Sequence, residues 1–287
     1  MDWVKSFQSA VDYIEEHITE PADYERIARE MNVSSFYFQK IFSILCGISV
    51  GEYIRNRRLT LAGSELASTD EKIIDIALKY GYDTPEGFTR AFTRFHGTAP
   101  NNIRKNGAIL RSFARFHVSI NVKGGSSMDY KIMKKEAFKI IAKEQRFEKI
   151  EDVQGRSDIP EFWTQCHGDG TVKFLTECCK KDGILGCCVV GMCMEDSTKV
   201  KDFPYLIGAE YAGGDVPDGY KVVDVPAAEW AVFNIESMSA EGIQQAWHSI
   251  FAEFFPSSNY KPAGNFDLEV YPTDSYKGEI WISVKTK

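Results

Sequence analysis

The sequence predicts a chain of two domains: an all-α first half carrying a doubled helix-turn-helix pattern, and an α+β second half of two strand-helix-strand-strand repeats. Three observations carry this expectation. Apolar residues recur at helical spacing nearly throughout the first half, then give way to short strand-like runs. A pattern Phe38-Gln39-Lys40-Ile41-Phe42 closed by Gly47 returns fifty residues later as Phe88-Thr89-Arg90-Ala91-Phe92 closed by Gly97. Charge also divides: residues 1–127 hold 16 basic and 15 acidic side chains, net +1, and residues 128–287 hold 18 and 26, net -8, together the -7 of the chain. The halves are thus suited to different partners. The expected boundaries are 1–106, a linker at 107–127, and 128–287.

The elements follow in order. MDWVKSFQSAVDYIEEHI is an amphipathic helix bearing acids, not a secretory leader. No apolar run approaches the ~20 residues that span a bilayer, so a cytoplasmic protein without membrane contact is expected. Pro21 and Asp23 suit a helix start. Ile27, Ala28 and Met31 then mark one short helix, Asn32-Val33-Ser34 a turn, and Phe38, Ile41, Phe42 and Leu45 a second helix. ISVGEYIRNRRLTLAGSELAST is a longer amphipathic helix with Arg55, Arg57 and Arg58 off its apolar face, candidates for phosphate contact. At about 30 Å this rod nearly matches one ~34 Å turn of B-DNA, so one chain can place two such modules in successive major grooves. The second module repeats the first, with Ile73, Ile76, Ala77 and Tyr80 before Gly81-Tyr82 and Phe88, Phe92 and Phe95 after it. Closing glycines at 47 and 97 suit helix C-caps. RSFARFHVSINV alternates like a strand, and Gly124-Gly125-Ser126-Ser127 makes a flexible break.

The second half starts near Met128. DYKIMKKEAFKIIAKEQRF reads as a strand, IPEFWTQCHGDGTVKFLTECC as a helix broken near Gly168-Asp169-Gly170, and ILGCCVVGMCMED with FPYLIGAEYAG as a strand pair. The second round is YKVVDVPAAEWAVFNIES, a helix stopped by Pro256, then FDLEVYP and GEIWISVKTK. Five of the seven cysteines lie between Cys178 and Cys193. The adjacent pairs point to opposite strand faces, and the zinc spacing Cys-x2–4-Cys is missing, so free packing thiols are expected, with no metal and no cofactor.

The motifs of the first half resemble the DNA-binding domain of the AraC/XylS family of bacterial transcription regulators over residues 5–106. They are Ile27-Ala28, Phe38-x-Lys-x-Phe42, Gly47-Ile-Ser, Glu52-Tyr-Ile-Arg-x-Arg-Arg58, Ile76-Ala-x-x-x-Gly-Tyr82, Phe88-x-Arg-x-Phe92, Gly97 and Pro100-x-x-x-Arg104. The resemblance implies double-stranded promoter DNA as partner, RNA polymerase as a further candidate partner, and base contacts from Phe36, Gln39 and Lys40 in the first copy and Pro85, Glu86, Thr89 and Arg90 in the second. Arg90 suits guanine, Gln39 adenine, Phe36 a thymine methyl, and Glu86 the amino group of cytosine. Lys40 stands where that family commonly has Arg, which costs bidentate geometry.

Tyr205-Leu-Ile-Gly208, Val225-Pro-Ala-Ala-Glu-Trp-Ala-Val-Phe233 and Leu268-Glu-Val-Tyr271 resemble the GyrI-like effector-binding domain, over about residues 128–287. That resemblance implies an aromatic pocket between two repeats, faced by Glu269 with Tyr271. The acidic half also supplies Trp163, Tyr205, Tyr211, Trp230, Trp247 and Trp281, with Glu210 as a second candidate carboxylate. A carboxylate among aromatic faces favours a small, flat, cationic or aromatic effector. The expected function is therefore a DNA-binding transcription regulator controlled by such an effector, not an enzyme. Two alternatives stand beside it: a hydrolase of strained rings using Glu269 with Tyr211 or Tyr271, and a protein-interaction module. No Ser-His-Asp set, Walker loop, HExxH or dinucleotide fingerprint is present.

Overall fold

The computed structural model describes residues 3–103, 109–118, 128–148, 159–194, 202–273 and 277–287. The glycine-serine break and the bases Arg104, Lys105 and Lys123 lie outside these residues. The chain divides into two compact units, one of Asp2–Ser35 with Ile48–Asn121, the other of Phe36–Gly47 with Val122–Lys287. No described helix is long and apolar enough to cross a membrane.

The helices of the first half are α1 (Trp3–Glu16), α2 (Tyr24–Arg29), α3 (Ser35–Cys46), α4 (Val50–Ser68), α5 (Ile73–Lys79), α6 (Pro85–His96) and α7 (Pro100–Ile103). Their ends follow local chemistry. The Asp23 carboxylate accepts from the Arg26 amide, Ser49 from that of Glu52, and Thr84 from that of Gly87, each satisfying an orphan N–H of a first turn. Gly97 closes α6 in the left-handed region, at φ 77°. The second module is complete within its unit: Ile76 and Ala77 of α5 and Phe88 and Phe92 of α6 pack on Leu59, Ala62 and Leu66 of α4.

The segment 109–118 corrects an expectation. Its alternation predicts a strand, but no strand forms. Its amides bond side chains instead: Arg111 N–H donates to His96 Nδ1, Phe113 N–H to Thr60 Oγ1, Phe116 N–H to the Tyr53 hydroxyl and Val118 N–H to Gln8 Oε1. Phe116 stacks on Tyr53 with centroids 4.8 Å apart. The apolar residues of the alternation cover α4 rather than a sheet.

The other unit holds β1 (Tyr130–Lys135), β2 (Phe138–Glu148), α8 (Ile159–Gly168), α9 (Thr171–Cys178), β3 (Cys188–Met194), β4 (Asp202–Glu210), β5 (Lys221–Val225), β6 (Ala228–Ile235), α10 (Ala240–Ser249), β7 (Tyr260–Pro272) and β8 (Gly278–Thr286). After α10 the chain makes a π turn over Ile250–Phe254 and a last helical turn at Phe255–Ser257, which includes Pro256. Each half of the domain thus has two strands before its helices, not the single one expected. The first strand of each half is short and leaves for the other half: β1 pairs with β6, and β5 with β2. The antiparallel sheet runs β1-β6-β8-β7-β3-β4-β2-β5. Exchanging the two halves reproduces the order in reverse, so a pseudo-twofold passes between β3 and β7.

Strand alternation sorts the side chains onto two faces. Leu268 and Val270 of β7 join Val190, Met192, Leu206, Trp230 and Trp281 in one buried cluster. On the other face, Ile141, Val189, Tyr205 and Ile207 pack against Phe162, Cys166 and Leu175 of α8 and α9.

Candidate functional site

Asp267, Glu269 and Tyr271 alternate with Leu268 and Val270 and therefore share one face of β7, beside the pseudo-twofold. The Glu269 carboxylate is the centre of an aromatic network. Its Oε2 accepts from the Tyr205 hydroxyl at 3.0 Å and the Tyr271 hydroxyl at 3.0 Å, and its Oε1 from the Trp247 indole N–H at 2.9 Å. The Trp163 indole donates to the Tyr205 oxygen at 3.0 Å, and its ring stands edge-on to Tyr271, centroids 5.2 Å apart. Corresponding helices of the two halves, α8 and α10, each contribute one tryptophan. Burial, then the charge of Glu269, pushes the phenol pKa values of Tyr205 and Tyr271 well up, so both remain donors at neutral pH.

Space for this network comes from Gly191, the cross-strand neighbour of Glu269 on β3. A Cβ on Gly191 would stand 2.1 Å from the Tyr205 hydroxyl oxygen and 3.2 Å from Glu269 Oε2. Any other residue would displace the Tyr205–Glu269 hydrogen bond. The sequence reading missed this glycine because its importance depends on what lies across two strand pairings.

Two residues before Glu269, the Asp267 carboxylate is 4% exposed and binds the Lys40 ammonium at 3.0 and 2.9 Å. The same ammonium lies 4.0 Å from the centroid of Trp247. Burial alone would lower the Lys40 pKa, but the Asp267 carboxylate outweighs it and holds the amine protonated. The thiol of Cys193, opposite Asp267 on β3, is pushed up to about 12 by burial and remains neutral.

Trp163, Tyr205, Trp247, Glu269 and Tyr271 are therefore brought together. Glu210, Tyr211 and Trp230 are not. Glu210 is five residues from Tyr205 along β4, hence on the opposite face, and it accepts the Leu185 amide at 2.8 Å. Tyr211 lies beyond the end of β4, where its hydroxyl bonds the Gly214 carbonyl. Trp230 is fully buried with Trp281 in the cluster on the far face of the sheet.

The expected base-reading residues part company. On α6, Glu86, Thr89 and Arg90 are exposed along one face, with Pro85 half-buried at the first turn. On α3, Phe36 and Gln39 are half-buried and Lys40 is held by Asp267. Arg55 is half-buried. Arg57 and Arg58, expected at phosphates, are both engaged by groups of the protein itself. Arg57 grips both oxygens of Glu15 at 2.8 and 2.9 Å and the Phe113 carbonyl at 2.6 Å. Arg58 donates to the carbonyls of Ile18, at 2.6 Å, and Glu20. Both guanidiniums tie α4 to α1 and the chain after it, in positions that carbonyl geometry fixes and residue type does not reveal.

Comparison with known proteins places both halves. Residues 131–284 match the family of integron-associated effector binding proteins, and residues 27–106 match a helix-turn-helix domain family. The regulatory protein SoxS of Escherichia coli (strain K12) is 36% identical over 104 residues, which is 36% of this chain and 97% of SoxS. The chain is an AraC-type transcription regulator and belongs, through residues 131–284, to the integron-associated effector binding proteins. The uncharacterized HTH-type transcriptional regulator YbfP of Bacillus subtilis (strain 168) is 39% identical over 104 residues, 36% of this regulator but 35% of YbfP. The structure of SAV2435 bound to tetraphenylphosphonium aligns with a TM-score of 0.47 at 18% identity, over 55% of this regulator and 94% of that chain. The regulator thus joins an AraC-type helix-turn-helix half to a GyrI-like effector-binding half.

Proposed function

We propose that the effector of this regulator is a bulky aromatic cation, bound at Glu269 among Trp163, Tyr205, Trp247 and Tyr271, and that its binding alters promoter recognition. The observation that carries this is the pairing of two acceptors, Glu269 and Asp267, with indole faces one of which already lies under an ammonium at 4.0 Å. Carboxylate and π face attract the same charge, and together they favour a cation that sheds water easily over a strongly hydrated one. Glu86, Thr89 and Arg90 of α6 with Phe36, Gln39 and Lys40 of α3 would read the bases, in a cytoplasmic protein that recruits RNA polymerase. Hydrolysis is the weaker reading, because three hydrogen bonds from protein donors already occupy Glu269, leaving little room to activate a water.

The test is titration of the full chain with methyltriphenylphosphonium and with neutral triphenylphosphine oxide, followed by tryptophan emission, with recovery of each compound. Saturable quenching by the cation at concentrations at least tenfold lower than by the neutral compound is expected. Equal response to the two, or chemical conversion of either, would reject the proposal.

A further inference from the structure

Lys40 and Arg90 occupy equivalent places in the two copies of one motif, yet their surroundings differ. Arg90 is exposed on α6, whereas the Lys40 side chain is 17% exposed. Lys40 is ion-paired to Asp267 and seated over the ring of Trp247, whose N–H binds Glu269. A second contact on the same helix supports it. The Tyr37 ring meets Phe251 edge-on at 6.1 Å, and Phe251 stacks on Trp247 at 6.0 Å with 10° between planes. Phe36–Gly47 accordingly belongs to the same compact unit as the effector-binding half. A helix reads the major groove with the side chains of one face directed at base edges. Lys40 cannot do that while its ammonium lies between Asp267 and Trp247.

From this geometry we infer that Lys40 is an internal ligand of the effector site, and that an aromatic cation frees the first recognition helix by taking its place. The inference rests on the effector reading above and adds its mode of regulation. The exchange is balanced in charge: one cation leaves the two carboxylates and another arrives, so no acid is left buried without a partner. The effector needs no separate relay. It and the reading helix compete for one position, and the apparent affinity of the effector is reduced by the fraction of molecules in which Lys40 is bound. DNA and effector therefore favour each other, since both require Lys40 to be out of the site.

The experiment is hydrogen exchange of the full chain with and without saturating methyltriphenylphosphonium, with α6 as internal reference. The amides from Ile41 to Cys46 should exchange at least tenfold faster with the cation, and those of α6 should not change. In Lys40→Met, which keeps side-chain length and helix propensity, the cation should bind at least fivefold more tightly. In Asp267→Asn, α3 should exchange fast before any cation is added. If wild type binds the cation and α3 exchange does not change, the internal-ligand idea is wrong while the effector site stands. If neither wild type nor Lys40→Met binds the cation, both fall.

Discussion

Replacing Glu269 by Gln removes one charge and almost no volume, which makes it the sharpest probe of recognition. A cation whose charge comes within ~5 Å of this half-buried carboxylate gains about 3 kcal/mol at an effective dielectric of ~20. Part of that gain offsets desolvation of the two charges, so roughly 1.4–2.7 kcal/mol remains, about 10- to 100-fold in Kd. The amide keeps one acceptor but turns its NH2 toward one side of a site where Trp247, Tyr205 and Tyr271 now donate. A tyrosine hydroxyl can rotate to accept from it. The fold should therefore survive, which near-ultraviolet circular dichroism would check. Titration of the Gln variant should show a 10- to 100-fold loss for methyltriphenylphosphonium and less than threefold for triphenylphosphine oxide. An equal loss for both would mean that shape, not charge, was altered. An unchanged affinity for the cation would remove Glu269 from recognition.

Other changes test other parts of the account. Gly191→Ala should weaken the cation at least tenfold and lower stability by about 1–3 kcal/mol in urea titration, because its Cβ meets the Tyr205 hydroxyl. Arg57→Ala should cost about 3 kcal/mol of stability, since it leaves the largely covered Glu15 of α1 without its ion pair. Arg90→Ala should leave stability unchanged and cost ~1–3 kcal/mol on a preferred duplex, with relaxed preference at one base. His96 is 5% exposed, with Nε2–H donating to the Leu59 carbonyl and Nδ1 accepting from Arg111 N–H, and burial lowers its pKa. The unfolded chain therefore takes up the proton first. The stability that neutral His96 contributes is complete above about pH 6.5 and is lost as pH falls below it. The Cε1–H resonance of His96 should titrate below 6.5, and His96→Gln should flatten the stability profile between pH 5 and 7.

The second helix-turn-helix module was legible because it is built of local terms. Thr84, the periodic phenylalanines and Gly97 act within twelve or so residues of one another, and their packing needs only α4. The network around Glu269 was partly legible: Glu269 and Tyr271 share a strand face by spacing alone, but Trp163, Trp247 and Tyr205 join them only through the fold. Trp230 was indistinguishable in type from Trp247, and only the pairing of β6 with β8 turns it to the other face. Glu210 failed for the same reason, a parity that β4 reveals only once its register is known. Arg57 and Arg58 carry the charge expected of phosphate contacts, and the partners that claim them are a distant acid and backbone carbonyls. Lys40 is the clearest case, because a residue expected to face DNA bases has an acid 227 residues away as its partner. The extra strands β1 and β5 were hidden by exchange between the halves, which joins each to a distant strand rather than to its sequence neighbour.

The most direct test of the whole account is the coupling between effector and DNA. A duplex would first be selected from a random pool by the full chain with methyltriphenylphosphonium present, and calorimetry would then give the Kd of that cation with and without saturating duplex. The cation should bind at least fivefold more tightly on DNA, and the duplex should bind more tightly by the same factor when the cation is present. Equal affinities would contradict this coupling, because a cation that binds at Glu269 without displacing Lys40 cannot influence the helix that Lys40 holds.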